Sequence, residues 1–248
     1  MSALELVDLT MQFGGLVVTN KVSLSLQPGA RHALIGPNGA GKTTLINLIT
    51  GRLTPRAGKV LLGGADVVGV PQHRRTRMGL VRNFQVTNLF TSFTALENIA
   101  LAVSEREGLG LSFARCHGFP DRVIAEAQEI AGQMRLATVA PVPVRDLAYG
   151  QQRLVELAVA MALRPKVLLL DEPAAGLPSA DHETILRALD ELPGDVAVLL
   201  VEHDMPLVFR FAKHITVLAE GTVIASGTPD AIRENAAVRA AYLGHRTS

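Results

Sequence analysis

Apolar runs of strand length alternate with amphipathic segments along the chain, and this alternation predicts an α/β fold. Val167 to Leu170 and Val196 to Val201 are uninterrupted apolar runs, which is typical of parallel strands covered on both faces. The segment between them repeats its apolar residues at helical spacing. These helical positions are Ile185, Leu186, Leu189 and Leu192. We therefore expect a strand, a helix and a second strand belonging to one parallel sheet.

The N-terminal part of the sequence predicts shorter strands around a glycine-rich loop. Leu4 to Leu9 and the alternating segment Val22 to Leu26 predict two strands. Arg31 to Ile35 predicts a strand that leads directly into the loop, and a helix should follow from about Lys42 and end at Gly51. Lys59 to Leu62 predicts another short strand. We expect a small antiparallel β layer near the N-terminus, beside the mostly parallel core sheet.

The middle of the chain has a predominantly helical pattern. Thr94 to Glu97 matches a capping box, which places the start of a helix at Ala95. A second helix should begin at Asp121, with an apolar face formed by Val123, Ala127, Ile130 and Met134 at helical spacing. A third helix should span Gln151 to Leu163. The tail from Thr228 is also expected to be helical. We interpret residues 1–248 as a single domain, with a core of 1–87 and 161–248 and a helical subdomain of 88–160.

The composition excludes several classes of protein. The 24 Lys and Arg residues nearly balance 23 Asp and Glu residues, so a net charge of +1 gives no reason to expect nucleic acid as a partner. The single cysteine, Cys116, excludes an intramolecular disulfide. The first residues lack the pattern of a signal peptide, and no apolar run approaches the ~18 residues of a membrane span. We expect a soluble protein that acts at a membrane only through partners.

The glycine-rich loop matches the phosphate-binding motif G-x-x-x-x-G-K-[ST]. It follows a predicted strand and opens a predicted helix, as that motif requires. Its backbone N–H groups and the helix N-terminus favour phosphate. Lys42 should reach the β- and γ-phosphates of a nucleoside triphosphate, and the Thr43 hydroxyl should bind Mg²⁺. The predicted nucleotide-binding residues of the loop are Gly36, Pro37, Asn38, Gly39, Ala40, Gly41, Lys42, Thr43 and Thr44.

Two carboxylates follow the apolar run that begins at Val167. Asp171 and Glu172 lie at the predicted C-terminal edge of a buried strand, where parallel sheets bind ligands. Asp171 suits the Mg²⁺ shell, and Glu172 suits the general base that acts on the attacking water. The alternative is that these two carboxylates simply end a strand and have no function. The phosphate-binding motif upstream argues against that alternative.

Three further segments resemble those of ABC-type ATPases. Leu147-Ala-Tyr-Gly-Gln151 is similar to the family's signature, which is usually Leu-Ser-Gly-Gly-Gln. His203 lies where the family has its switch histidine, and Gln85 lies where it has the glutamine of its Q-loop. The resemblance implies a P-loop ABC-type nucleotide-binding domain that hydrolyses ATP and forms a head-to-tail dimer with two ATP sites.

The resemblance also assigns roles to individual residues. Phe13 should stack on adenine, with Val18 beside it. Gln85 should touch Mg²⁺ or the attacking water, and His203 should bind the γ-phosphate. The implied catalytic residues are Glu172, His203, Lys42 and Gln85, and the implied metal ligands are Thr43, Gln85 and Asp171. The residues implied to contact the nucleotide of the opposite subunit are Leu147, Ala148, Tyr149, Gly150 and Gln151.

The sequence departs from the common family pattern at three positions. Ala148 replaces the signature serine, so one hydroxyl contact to the γ-phosphate is missing. Tyr149 replaces a glycine, so the turn must tolerate a side chain. Pro178 replaces the aspartate of the usual Ser-Ala-Leu-Asp segment, which reads Ala175-Gly-Leu-Pro178 in this chain. The contact that this aspartate makes across the dimer is therefore in doubt.

Several segments together resemble one branch of the family, the ATP-binding subunits of branched-chain amino acid transporters. They are Phe13-Gly-Gly-Leu16, Met78 to Gln85, Leu147 to Arg153, Asp171 to Leu177, Val201 to Met205, Gly227 to Pro229 and Ala241 to Gly244. That branch also imports urea, amides and other small solutes, so the solute stays open. A soluble or exporter-type ABC ATPase is the alternative function.

The resemblance implies a set of partners. They are two membrane permease subunits, a second ABC ATPase subunit and, indirectly, an extracytoplasmic solute-binding protein. A heterodimer is expected, although a homodimer stays possible. The protein should lie in the cytoplasm, attached through the permease to the inner face of the plasma membrane. Leu89, Phe90 and Phe93 are candidates for the permease contact, or else pack beneath the helical insertion.

Two features outside these motifs receive no function. Arg74, Arg75 and Arg77 form a basic cluster that could bind phosphate or lipid headgroups, but we interpret it as a solvated helix face. Cys116 lies in a predicted loop without a partner for metal or redox chemistry, and we interpret it as inert.

Overall fold

The computed structural model describes residues 1–83, 89–109 and 118–243. The chain divides into two compact units. The first unit combines Met1–Arg82, Lys166–Glu172 and Pro193–Ser248, and the second combines Asn83–Pro165 and Pro173–Leu192.

Ten strands are found in the described part of the chain, and they form two sheets. In chain order they are β1 (Leu4–Phe13), β2 (Leu16–Leu26), β3 (Arg31–Ile35), β4 (Ala57–Leu62), β5 (Ala65–Asp66), β6 (Leu80–Asn83), β7 (Val167–Asp171), β8 (Ala197–Val201), β9 (His214–Ala219) and β10 (Thr222–Gly227). One sheet is antiparallel, with the order β2-β1-β4-β5. The other has the order β10-β9-β3-β8-β7-β6, in which β7, β8, β3 and β9 are parallel and β10 is antiparallel to β9.

The described helices follow the predicted pattern closely. In chain order they are α1 (Lys42–Thr50), α2 (Gln72–Arg77), α3 (Ala95–Arg106), α4 (Asp121–Gln133), a 3₁₀ helix (Val144–Asp146), α5 (Tyr149–Ala162), α6 (Ser179–Asp190), α7 (Met205–Phe211), α8 (Pro229–Glu234) and α9 (Ala236–Leu243). The capping box before α3 is present, with Thr94 and Glu97 bonding each other's backbone N–H. Gly51 ends α1 in the left-handed conformation expected of a C-terminal glycine.

The first unit buries its apolar residues between its two sheets and around α1. Every residue of β7 and of β8 is buried, which confirms the interpretation of these runs as covered parallel strands. Alternate residues of β1, Leu4 and Leu6, join the same apolar cluster as Leu45 of α1 and Val167 of β7. This rigid core fixes the strand ends from which the site residues project.

The second unit is mainly helical, and α3, α4 and α5 pack against one another. The apolar face predicted for α4 is confirmed, since Val123, Ala127 and Ile130 are buried. Several predicted boundaries were wrong; among them, α5 begins at Tyr149 rather than at Gln151, and β4 begins at Ala57 rather than at Lys59. Ala148 is the residue before the helix, and its backbone N–H is bound by the Gln151 side chain at 3.1 Å, so no glycine is needed at this start.

The interpretation of the basic cluster as a solvated face is wrong for Arg75. Arg74 and Arg77 are exposed, but Arg75 is only 1% exposed. Its guanidinium donates to the carbonyl oxygens of Leu48 at 3.0 Å and Ile49 at 2.5 Å. The last carbonyls of a helix lack partners within the helix, so Arg75 satisfies the C-terminus of α1. Cys116 lies outside the described residues.

Candidate functional site

The glycine-rich loop connects the end of β3 to the start of α1, and close backbone approaches require glycine at Gly36 and Gly41. A Cβ atom on Gly36 would lie 2.1 Å from the carbonyl oxygen of Leu218. A Cβ on Gly41 would lie 2.6 Å from that of Val18, and Gly41 has a φ of +101°. The N–H of Gly221 also binds the carbonyl oxygen of Ala40 at 3.0 Å. Neighbouring strands therefore hold the loop in the form of a narrow cradle, which fits a phosphate chain.

Lys42 is half-buried at the first position of α1. Its ammonium group donates to the carbonyl oxygens of Gly36 at 2.7 Å and Pro37 at 3.0 Å. Burial lowers the pKa of Lys42, and the nearby carboxylates of Glu172 and Asp171 oppose that shift. The lysine charge therefore lies within the loop, facing the two carboxylates predicted to act with it.

Asp171 is the last residue of β7, and its carboxylate is held by an arginine. The Oδ2 atom accepts a hydrogen bond from Nη2 of Arg82 at 2.6 Å, and the two side chains are 8% and 7% exposed. Arg82 also donates from Nη1 to Oδ1 of Asn47 at 3.0 Å. The carboxylate predicted to bind Mg²⁺ thus lies in a buried ion pair, and Arg82 was not a predicted site residue.

Glu172 follows β7 in a strained backbone conformation. Its φ is +50°, which is uncommon for a residue with a side chain. Its N–H binds the carbonyl oxygen of Val201, the last residue of β8, at 2.8 Å. Strain of this kind is characteristic of functional sites, where the surrounding structure holds it.

His203 lies close to two glutamates. Its Nδ1 is 3.6 Å from Oε1 of Glu172 and 3.7 Å from Oε2 of Glu202. Glu202 is 2% exposed and accepts hydrogen bonds from the backbone N–H groups of His203 and Asp204. Strand β8 and the buried Glu202 thus bring the predicted switch histidine to the predicted base, although they are far apart in sequence.

The residues predicted to hold the adenine lie on the antiparallel sheet. Phe13 ends β1 and is 46% exposed, so it does not have the buried position of a core aromatic. Val18 lies on β2 and is partly buried. Two further apolar side chains nearby in sequence, Leu16 and Val17, are also exposed. An exposed apolar surface of this kind fits the stacking of a nucleotide base.

The donor atoms available for a metal fit Mg²⁺. The Thr43 hydroxyl and the Asp171 carboxylate are the hard oxygen ligands that Mg²⁺ prefers, together with substrate phosphates and water. Among residues 1–83, 89–109 and 118–243 there is no group of three or more His, Cys, Asp or Glu side chains that would hold a metal by themselves. Gln85, the third predicted ligand, lies outside the described residues.

The signature residues Leu147 to Gln151 lie in the second unit, around the start of α5. The ring hydroxyl of Tyr149 donates to the carbonyl oxygen of Ala175 at 3.1 Å and accepts a hydrogen bond from Arg153. The Arg153 guanidinium also lies 4.8 Å from the centre of the Tyr149 ring. A Cβ on Gly176 would approach the Tyr149 hydroxyl at 3.3 Å. The two unusual segments, Tyr149 and Ala175-Gly176, therefore fit each other.

Two residues of the site, Arg82 and Glu202, were not predicted from the sequence, for different reasons. Arg82 lies three positions before Gln85, and its only signal was a charge directly after the apolar pair Leu80-Val81. Glu202 stands beside His203, and an acid directly after a fully apolar strand was a signal that could have been used. A separate cavity of about 520 Å³ contains none of the predicted site residues; its lining includes Met1, Met78 and Lys166.

Comparison with known sequences identifies the relatives of this chain. The profile of the ABC transporter family matches residues 19–175, and that of the branched-chain amino acid ATP-binding cassette transporter matches residues 222–247. The high-affinity branched-chain amino acid transport ATP-binding protein BraF of Pseudomonas aeruginosa is 42% identical over 97% of each chain. LivG of Escherichia coli K12, of the same description, is 41% identical over 95% of each chain. A probable LivG of Archaeoglobus fulgidus is 34% identical over 100% of this chain and 98% of its own.

Solved structures lead to the same family. An ATP-binding cassette of an ABC transporter in its ADP conformation superposes with a TM-score of 0.86 and 28% identity, covering 98% of this chain and 99% of the other. A dimeric ATP-binding cassette in a post-hydrolysis state, bound to ADP and phosphate, has a TM-score of 0.74 and 25% identity, covering 91% and 98%. No helix in the described part of the chain is long and apolar enough to cross a membrane. The chain therefore belongs to the ABC transporter family, as an ATPase of the group that contains the branched-chain amino acid transport ATP-binding proteins.

Proposed function

We propose that this chain hydrolyses ATP to drive the import of branched-chain amino acids, or a related small polar solute, through separate membrane permease subunits. The observation that carries this proposal is identity of 34 to 42% over almost the whole length of proteins described as branched-chain amino acid transport ATP-binding proteins. The match of residues 222–247 to the corresponding transporter profile supports the same solute class.

The arrangement around the phosphate loop supports a hydrolytic mechanism. Lys42 and the loop N–H groups hold the phosphates, while Phe13 and Val18 hold the base. Glu172 orients the attacking water and accepts its proton, and His203, 3.6 Å from Glu172, donates to the γ-phosphate. Mg²⁺, held by Thr43, Asp171 and Gln85, would supply positive charge for the phosphate oxygens.

The signature segment supports a role in a dimer of ATPase subunits. The N-terminus of α5 favours anions. The Tyr149 hydroxyl in its first turn donates to the carbonyl oxygen of Ala175, which helps to position residues Leu147 to Gln151. The related dimeric cassette bound to ADP and phosphate supports the same arrangement. We propose that residues Leu147 to Gln151 contact ATP on a second ABC ATPase subunit, which forms a heterodimer or a homodimer with this chain.

Two exposed phenylalanines support a contact with the permease. Phe90 is 51% exposed, and its ring stacks on that of Phe93 with centroids 5.4 Å apart. Asn98 of α3 fixes this turn by binding both the N–H and the carbonyl oxygen of Phe90. A rigid, exposed aromatic pair is a feature of protein interfaces. Such a contact would attach the chain to the inner face of the membrane.

Copurification tests the proposed assembly. The tagged chain is purified from gently solubilised native membranes, and the accompanying proteins are identified by mass spectrometry. We expect two multi-span permeases, a second ABC ATPase and an extracytoplasmic solute-binding protein, which should bind branched-chain amino acids when screened. Phe90→Asp should lose the permeases and retain ATPase activity. Recovery only from the soluble fraction, with ribosomal or DNA-repair proteins, would contradict the transport function.

A further inference from the structure

The ion pair between Arg82 and Asp171 places a fixed positive charge on the carboxylate proposed to bind Mg²⁺. Both side chains are more than nine-tenths buried, and Nη2 lies 2.6 Å from Oδ2. Asn47 of α1 holds the other end of the guanidinium through a 3.0 Å hydrogen bond. The arginine is thus fixed in position by two neighbouring elements of the first unit.

A buried carboxylate needs a partner, and two kinds of partner are available to Asp171. A buried carboxylate without a partner is strongly unfavourable, so Arg82 stabilises Asp171 when no cation is bound. A divalent cation at the same carboxylate is repelled by the guanidinium, and such repulsion is strong where water is largely excluded. The ammonium group of Lys42, held at the carbonyl oxygens of Gly36 and Pro37, adds a second positive charge in the same unit.

We propose that Arg82 is a positioning residue that holds the Asp171 carboxylate in the nucleotide-free protein and sets its affinity for the divalent cation. This inference rests on the proposed role of Asp171 in binding Mg²⁺. The Arg82 guanidinium binds Oδ2 of Asp171, the oxygen that a cation would bind. A cation that arrives together with nucleotide displaces the guanidinium from this oxygen. The protein therefore keeps its site ordered without binding free Mg²⁺ tightly.

Thermal unfolding in the presence of a non-hydrolysable ATP analogue tests this role. The whole chain is measured with EDTA and then across a Mg²⁺ titration. Arg82→Gln removes the charge and keeps a hydrogen-bond donor for Asp171, whereas Arg82→Lys keeps the charge. With Arg82→Gln we expect a lower melting temperature in EDTA, a larger rise on addition of Mg²⁺, and a half-maximal Mg²⁺ concentration lower by about tenfold. Arg82→Lys should resemble the wild type.

A matched control separates this effect from a general loss of stability. Arg106→Met breaks a partly buried ion pair with Glu126 in the second unit, whose two hydrogen bonds are 2.8 and 2.7 Å long. It should lower the melting temperature equally with and without Mg²⁺. Should Arg82→Gln not fold, Asn47→Ala loosens the same guanidinium and should shift the half-maximal Mg²⁺ concentration in the same direction, by less.

Two outcomes overturn the inference in distinguishable ways. Equal Mg²⁺ responses in the wild type, Arg82→Gln and Asn47→Ala would show that Arg82 is merely structural, and the proposed function would stand. Absence of any Mg²⁺ response in the wild type would remove the metal role of Asp171 and the inference with it.

Discussion

Glu172 illustrates how a single residue is placed by neighbours distant in sequence. Its identity as a base was predicted from its position after Asp171, but its left-handed backbone and its 3.6 Å approach to His203 come from the hydrogen bond to Val201 on the adjacent strand. A carboxylate held at a strand end beside a histidine is suited to act on a water molecule. The rate of ATP hydrolysis should therefore depend on the carboxylate of Glu172 rather than on its backbone conformation.

Glu172→Gln should slow ATP hydrolysis by roughly 10²-fold or more at saturating ATP, the scale for losing a general base. The amide preserves the shape of the side chain, so binding of ATP should persist. Turnover and nucleotide binding are measured on the same preparation. Glu220→Gln provides a control, because Glu220 is an exposed glutamate with a similar φ of +47°. Turnover by Glu172→Gln at the parental rate would exclude Glu172 as the base.

At the scale of elements, the second unit shows why two departures from the family pattern occur together. Tyr149 lies in the first turn of α5, and its hydroxyl is bound to Ala175 in the segment before α6. Gly176 has a φ of +78° and leaves room for that hydroxyl. The sequence showed only that the turn must accommodate the Tyr149 side chain. In the structure, this side chain links the start of α5 to the segment before α6 through a hydrogen bond.

Tyr149→Phe should lower the free energy of unfolding by about 2 kcal/mol, because the hydroxyl's hydrogen bonds to Ala175 and from Arg153 are both lost and each is worth about 1 kcal/mol. Phenylalanine keeps the ring beneath the Arg153 guanidinium and removes only the hydroxyl. Tyr149→Leu should cost more, because the ring contact with Arg153 at 4.8 Å is lost as well. Denaturant unfolding measures both variants. Identical stability of Tyr149→Phe and the wild type would mean that these hydrogen bonds contribute nothing.

At the scale of the whole molecule, the free energy of unfolding should depend on pH, because a histidine with a lowered pKa is buried in the core. His32 on β3 is 4% exposed, binds the Thr216 hydroxyl at 2.9 Å and lies 4.9 Å from the ring of His214. Burial, together with the neighbouring His214, lowers the pKa of His32 from 6.5 to about 4. Below pH 6.5 the unfolded chain therefore binds a proton that the folded chain rejects, so the folded state loses stability as the pH falls toward 4.

Between pH 7 and pH 5, His32 should reduce the free energy of unfolding by about 2 kcal/mol. The measurement compares urea unfolding of the wild type and His32→Gln at both pH values. The variant should be less stable at pH 7 but should lose about 2 kcal/mol less on acidification. The same pH dependence in both proteins would show that His32 does not titrate in this range.

The sequence by itself determined the phosphate loop, the Asp171-Glu172 pair, the family and most helices and strands. Each of these depends on residues that are close in the chain, where spacing and apolar period dictate local geometry. Only the tertiary structure decided that Arg75 satisfies the end of α1 and that His32 is a buried neutral base. It likewise brought Arg82 to Asp171 across 89 positions. Such partners are chosen by packing, because a buried polar group takes whichever donor or acceptor the folded core brings within reach.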